Sequence, residues 1–368
     1  MYSFRWDPCV AHFGDEAEKF VTEYFLREDV KPVLIAGAGF DPRSAIVTKL
    51  MKDSKAKLVL IKELRADPDS VQVAQANENA EQFHILFPDC TTLQVAIFGD
   101  DNAVVGGRNV VNALDRESLD GVTDVVVDIS ALSVGTSFPI VRYFLERRGR
   151  KPGPDNVHVC VAHDPALDAD IRAVASDSPS YIHGFKGGIT LEESAGKAKL
   201  WLPQLSMGRN AALTRLHRAI EPDDTCPILP FPASDPRIAD KLFAAFEDEL
   251  ESVWEVDARN IVYADEADPV DLYRTILRLH DRRKPVFETY GGSQLVLSPL
   301  GSKVMALGTL MAALERDLPV AYLEAETYLL GERARKTCMH SHLVHVWLEG
   351  RAYPAERQRL HSLDKELL

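Results

Sequence analysis

The sequence predicts an α/β protein made of two Rossmann-like units, each a doubly wound, mainly parallel sheet. Three observations predict it. The apolar runs are short and rich in Val, Ile and Leu, and most are followed by a stretch of helical periodicity. Such runs read as strands buried on both faces, and their alternation with helices implies a parallel sheet covered on both sides. The pattern lapses mid-chain and then resumes, and 368 residues exceed what one hydrophobic core usually spans.

The elements follow in order. Strands are expected at 32–35, 57–61, 93–98, 124–129 and 157–162, with helices at 44–51 and 136–148 between them. An irregular insert at about 163–222 holds an expected hairpin over 182–202, turning at Gly187-Gly188, and a helix at 210–220. The segment Glu221-Pro222-Asp223-Asp224 has linker composition. These features divide the chain into a first unit at 1–222 and a second at 223–368. The second is expected to hold strands at 227–231, 261–264, 294–297 and 320–324, and helices at 237–253, 270–282 and 302–315. One more strand, 342–348, and a polar helix end it.

Two correspondences suggest an internal duplication. A strand leads into Gly37-Ala38-Gly39-Phe40-Asp41-Pro42-Arg43 in the first half and into Pro232-Ala233-Ser234-Asp235-Pro236-Arg237 in the second. Asp before Pro is a good helix start, since the carboxylate caps free amides and Pro loses no hydrogen bond there. A later strand–turn–helix recurs as 128–137 and 298–303.

Composition narrows the function classes. A net charge of −14 argues against general nucleic-acid binding, which neutralises phosphates with basic residues, but leaves room for one basic pocket. Five scattered cysteines without a CxxC pair suggest reduced thiols and a cytoplasmic protein. No apolar run is long enough to span a bilayer.

Three turns at strand ends are candidate ligand sites. The first offers Gly37, Gly39, Asp41 and Arg43, with Glu63 at the end of the next strand placed to hold a ribose. Pro42 stands where a full dinucleotide fingerprint needs its third glycine. This stretch resembles methyltransferase motif I, and GAGFDPR is similar to the GAGFDTR-type turn of carboxyl-methyltransferase relatives. That resemblance implies an S-adenosylmethionine site at Gly37, Gly39 and Glu63. The second turn crowds Ser130, Ser133, Thr136 and Ser137 before a helix; Asp128 there would repel an anion but suit a ribose hydroxyl. Equally, these hydroxyls cap the helix.

The third turn is Ser298-Pro299-Leu300-Gly301-Ser302-Lys303. A lysine in the first turn of a helix opposes the helix dipole, and is easier to understand with an anion held by Lys303, Ser302 and the backbone amides at Gly301 and Ser302. GxxxxGK[ST] is absent from the chain, which argues against Walker-type ATP hydrolysis. The turn is similar to the GGTK-x-M-x-x-G motif of CARF domains, the Rossmann-like sensors of cyclic oligonucleotides in CRISPR-linked antiviral defence. Gly301, Lys303, Met305 and Gly308 agree; Leu300 and Ser302 replace Gly and Thr. The DIS turn at 128–130 resembles the other CARF ligand loop. The resemblance implies a nucleotide-like ligand, a separate effector protein, and either a homodimer or two units of one chain building one site. In the plainer reading, Lys303 snorkels to solvent and the small residues allow close helix–sheet packing.

Weaker constellations remain. Cys338, His340, His342 and His345 contain metal-ligand types, but no second cluster has zinc spacing, and ordinary surface histidines are expected. Arg335 and His340 fit the loose R-x4-H pattern of HEPN ribonucleases, which belongs on a helix whereas this segment reads as strand. Cys160 with His163 and Asp164 suggests a thiol nucleophile, against the commoner role of buried strand residue. The stretch 201–210 reads as a linker anchored by Trp201, or as a basic residue and an amide at a helix start. No cofactor and no catalytic residue is assigned.

Overall fold

The computed structural model describes residues 4–65, 69–150, 152–185, 196–331 and 342–353. The chain divides into two compact units, the first comprising 1–97, 105–162 and the segment from 336 onward, the second 98–104 and 163–335. Apart from 98–104, the second unit therefore runs from 163, and residue 222 lies inside it.

The first unit opens with β1 (Val10–Phe13) and α1 (Asp15–Tyr24). Then β2 (Pro32–Gly37), α2 (Ser44–Leu50), β3 (Lys57–Leu64), α3 (Ser70–Leu86), β4 (Cys90–Ala96), α4 (Gly106–Leu114), β5 (Asp124–Asp128), α5 (Val134–Arg147) and β6 (Asn156–His163) alternate. Every residue of β2, β5 and β6 is buried, as continuous apolar runs in a doubly covered sheet require. The order across the sheet is β1-β16-β6-β5-β2-β3-β4, where β16 is His342–Glu349. The five strands β2 to β6 pair in parallel. Taken in chain order they stand third, second, first, fourth, fifth: the Rossmann arrangement, with its switch point between β2 and β5.

The second unit starts with α6 (Pro165–Asp170), β7 (Ile171–Ala175) and β8 (Ser180–Tyr181). Its parallel strands are β9 (Ala198–Pro203), the broken pair β10 (Asp224–Thr225) and β11 (Ile228–Pro230), β12 (Val262–Ala264) and β13 (Ser293–Ser298). The intervening helices are α7 (Asn210–Ile220), α8 (Ile238–Ala245), α9 (Pro269–Phe287) and α10 (Lys303–Arg316). β9 pairs with β10 and β13, and β11 with β12. Single bridges carry the ladders on, from Gln204 to Ile228 and from Leu297 to Val320. The order β12, β10/β11, β9, β13, Val320 is again third, second, first, fourth, fifth. Two short antiparallel pairs complete the unit: β8 with β14 (Ala321–Tyr322), and β7 with β15 (Ala325–Leu330).

Several expectations need correction. Residues 198–203 are not an arm of a hairpin but the central strand of the second sheet; the expected Gly187-Gly188 turn lies outside the described residues. Trp201 anchors a core rather than a linker: fully buried, it meets Trp254 edge-on at 5.2 Å beside Leu213, Leu216, Phe246 and Val296. Glu221 caps α7 in the left-handed conformation and the chain enters β10 at once, so 221–224 is a tight turn. The expected helix at 237–253 ends at Ala245 and is followed by a wider π-type turn at Glu249–Val253. The expected final helix lies outside the described residues.

Strand order also settles which turns correspond. The 128–137 and 298–303 turns both follow the fourth strand of their sheets. The GAGFDPR turn follows a first strand, whereas PASDPR follows a second strand; the true counterpart of the glycine turn is 204–209.

Candidate functional site

In the first unit the candidate residues gather at the carboxyl end of β2, β3 and β5. Gly37 is required by a close approach within the protein itself: a Cβ there would lie 3.0 Å from the Ala131 carbonyl oxygen and 3.2 Å from the Leu132 side chain. The Gly39 carbonyl accepts from Asn79 Nδ2 at 2.8 Å. The glycine turn is thus packed against the chain's own 131–132 loop. Asp41 and Arg43 are buried and hold each other, with Arg43 Nη2 2.7 Å from Asp41 Oδ2 and the Arg43 amide donating to Asp41 Oδ1 at 2.9 Å. The carboxylate organises the turn into α2 and takes up the guanidinium charge.

Glu63 is the penultimate residue of β3 and reaches across the end of β2. Its Oε1 accepts from the Ser133 amide at 2.9 Å and from the Thr136 hydroxyl; its Oε2 pairs with Arg65 at 2.8 Å. Burial pushes this carboxyl up, but the Arg65 charge and the bonds from Thr136 and Ser133 outweigh it and hold the group below its ordinary value. An ionised carboxylate therefore sits on the N-terminus of α5, where the helix dipole favours it. Asp128 behaves oppositely. Burial pushes it up to about 7, despite bonds to Oδ1 from the Ser130 amide (3.0 Å) and hydroxyl (2.5 Å). Asp41 adds to the rise and Arg43 opposes it. Ser130 Oγ in turn accepts from the Ala162 amide at 2.8 Å, so this hydroxyl ties β5 to β6. Thr136 and Ser137 are buried in the first turn of α5.

In the second unit Ser298 is buried and accepts from Trp201 Nε1 at 2.9 Å. Ser302 caps α10, accepting from the Met305 amide at 3.2 Å. Lys303 occupies the first helical position. Sequence reasoning missed Gln204 at the end of β9. Its Oε1 accepts from the Gly301 amide at 3.2 Å, and its Nε2 donates to the Met305 carbonyl (3.1 Å) and Thr309 Oγ1 (2.6 Å). A Cβ on Gly301 would lie 2.8 Å from Gln204 Oε1, and one on Gly308 2.4 Å from the Pro269 carbonyl oxygen. Of the two glycines that agree with the CARF motif, Gly308 is demanded by backbone packing, whereas Gly301 lies against the Gln204 side chain. No sequence signal marked Gln204 beyond its place in the 201–210 stretch.

The two corresponding turns share the backbone angles of their cap residue, but Ser133 makes no side-chain cap bond whereas Ser302 does, and Met305 stands where the first unit has Thr136. α5 and α10 each run 14 residues behind a serine cap, with φ −66°, ψ 157° at Ser133 and φ −65°, ψ 158° at Ser302. The next residue is Val134 in the first unit and Lys303 in the second.

The weaker constellations separate. Cys160 is fully buried, and burial together with Asp128 pushes its thiol well above the usual range, which opposes a nucleophilic role. Asp164 caps α6 by accepting from the Leu167 amide at 3.0 Å. His342 is exposed but His345 is completely buried, a correction to the expected surface histidines. Arg335, Cys338 and His340 lie outside the described residues. Among the described residues no group of three His, Cys, Asp or Glu is placed to hold a metal, and no helix is long and apolar enough to cross a membrane.

Fold and site together define an α/β protein of two Rossmann-like units. No family model and no curated protein matches the sequence. Among solved structures the chain is similar to M. capricolum TrmK in complex with S-adenosyl-homocysteine (13% identity, TM-score 0.22, covering 45% of this chain and 61% of that one). It is similar also to Haemonchus contortus phosphoethanolamine N-methyltransferase 1 in complex with phosphoethanolamine and S-adenosylhomocysteine (9%, 0.22, covering 77% and 72%). A third is the Pseudomonas aeruginosa RhlG/NADP complex (11%, 0.22, covering 80% and 92%). Overlaps of this size carry no argument about the chemistry of this chain.

Proposed function

We propose that the chain binds a nucleotide-like, phosphate-bearing ligand at the 298–304 turn of its second unit and acts as a sensor or adaptor. One observation carries the reading: the matching turn of the first unit already seats an anion, the Glu63 carboxylate, on the Ser133 amide and Thr136 hydroxyl. The second unit repeats the backbone angles of the cap residue, has Met305 where Thr136 stands, and puts a lysine directly after the cap. A turn that holds a carboxylate in one copy suits a phosphate in the other, and a bound anion offsets the unfavourable placement of Lys303 against the helix dipole. The CARF resemblance supports cyclic oligonucleotides as the ligand class, a separate effector protein as the output and antiviral defence as the setting.

Calorimetry with cyclic oligonucleotides, mononucleotides and S-adenosylmethionine tests this. Binding of a nucleotide that weakens about tenfold or more in Lys303→Ala is the expected result, the usual worth of a charge-assisted bond. Nucleotide binding indifferent to that substitution rejects the placement.

A second reading, a methyltransferase using S-adenosylmethionine at Gly37, Gly39 and Glu63, is favoured by the glycine turn and the carboxylate at adjacent strand ends. It requires Glu63 to exchange Ser133 and Thr136 for ligand hydroxyls and the 131–132 loop to move off Gly37. Binding of S-adenosylmethionine alone, weakened by Glu63→Gln, decides for it.

A further inference from the structure

Three histidines form a hydrogen-bonded chain through the first unit. His12 Nδ1 on β1 lies 3.0 Å from His345 Nδ1 on β16, and His345 Nε2 lies 3.0 Å from His158 Nδ1 on β6. His158 Nε2 lies 3.1 Å from Asp124 Oδ1 on β5. Asp124 also accepts from the hydroxyls of Tyr24 (2.9 Å) and Thr123 (2.6 Å). Beyond it, Arg351 donates to the Tyr24 oxygen and to Asp29.

The carboxylate fixes every tautomer. Asp124 is held ionised: its own burial raises it, but the bonds from His158, Thr123 and Tyr24 win. His158 must then carry its proton on Nε2 and leave Nδ1 bare. That bare nitrogen needs the proton of His345 on Nε2, which leaves His345 Nδ1 to accept from His12 Nδ1. A neutral imidazole has one proton, so one arrangement satisfies the chain. Its remaining bare nitrogen is His12 Nε2, on a half-buried ring. One added proton fits there, or is passed along the chain, without loss of a bond. A second added proton leaves two N–H groups facing each other across 3.0 Å.

The groups around the chain set its response. Glu16 on α1 favours charge on His12, Asp124 favours it on His158, and Arg351 opposes it there. Phe20 stacks on His12 at 4.3 Å and on His345 at 4.4 Å, and Trp347 lies 4.5 Å from His158; His345 and His158 are cut off from water, and His12 is half-buried. Burial accordingly lowers the basicity of all three, His345 most.

We propose that this chain is a pH-sensitive latch, which holds the N-terminal strand on β16 while it carries at most one extra proton and releases β1 when a second is taken up. β1 is at the end of the sheet and pairs with β16 over Val10–Phe13, with His12 opposite His345 inside that ladder. His345 then has one proton for two donor neighbours. The clash settles on the His12 side, where the half-exposed ring can turn to water for its lost bond while the fully buried His158 cannot; that is the pairing that holds β1. Bases weakened by folding give full stability above their unfolded value of about 6.5 and lose it as the pH falls below that.

Hydrogen exchange on the full chain at pH 7.5 and 5.5, corrected for intrinsic rates, tests the latch. The expected result is exchange in β1 accelerated on the order of tenfold at the lower pH while β2 stays unchanged. His345→Gln keeps the pattern, with its amide N–H donating to His158 and its oxygen accepting from His12, but cannot titrate; the acceleration should vanish. His12→Gln removes the entry atom at a half-exposed site and should do the same. No acceleration in the wild type overturns the latch, as does equal acceleration in β2, which is global acid unfolding. Acceleration that persists in either folded variant also overturns it. Should both variants fail to fold, the β1-against-β2 comparison in the wild type decides.

Discussion

Gly308 shows how a single residue can look functional and be structural. It sits mid-helix on α10 where the Pro269 carbonyl comes close enough that a Cβ would lie 2.4 Å away. Backbone cannot yield as a side-chain tip can, so Gly308→Ala should lower stability by about 1–3 kcal/mol, read as a lower urea midpoint. Asp128 poses the opposite case, a buried acid at the switch point. With its value raised to about 7, it is protonated in the folded state where an unfolded aspartate is charged. Its contribution is complete below about pH 4 and is lost as the pH rises toward 7. Carbon NMR of the carboxyl should show a midpoint near 7, and Asp128→Asn should flatten that part of the stability profile.

At the scale of elements, α5 and α10 start from the same backbone turn but are held differently, one by the Glu63 carboxylate and one by the Ser302 hydroxyl. Ser302→Ala removes the bond to the Met305 amide and should cost about 1 kcal/mol. Glu63→Gln removes the charge from the start of α5 and leaves Arg65 without its Glu63 partner charge, and should cost on the order of 1–2 kcal/mol at neutral pH. Because folding lowers the Glu63 value, the wild type's advantage is complete above the ordinary glutamate value, about 4.3, and fades as the pH falls through the depressed one. Chemical denaturation of both proteins at pH 7 and pH 3.5 checks this.

At the scale of the molecule, two opposing pH responses meet in the first unit: three histidines lose stability on acidification and Asp128 gains it. Most of this architecture was legible in the sequence. The buried strands announced themselves because continuous Val/Ile/Leu runs such as 33–35 and 125–127 have few other uses. β9 did not, because Lys199 and Pro203 interrupt its apolar run and it follows a stretch of turn residues. Reading that strand as a hairpin arm displaced the boundary to 222 and matched the glycine turn to the wrong partner. The turn residues were found, but their partners were not. That Glu63 fills α5, that Gln204 braces Gly301 and that Ala131 lies on Gly37 are facts of long-range approach, which no local spacing encodes. The histidine chain joins positions 12, 158 and 345, and read as a local cluster the tail histidines pointed to metal or solvent instead.

The return of β16 has a consequence for how the protein is made. This strand is inserted between β1 and β6, yet it is translated after the whole of the second unit. On the ribosome β1 emerges before the other strands of its sheet, and its neighbour among the described strands follows only after more than three hundred residues of synthesis. The described strands of the second sheet are all made by then, whereas the described first sheet is complete only when β16 arrives.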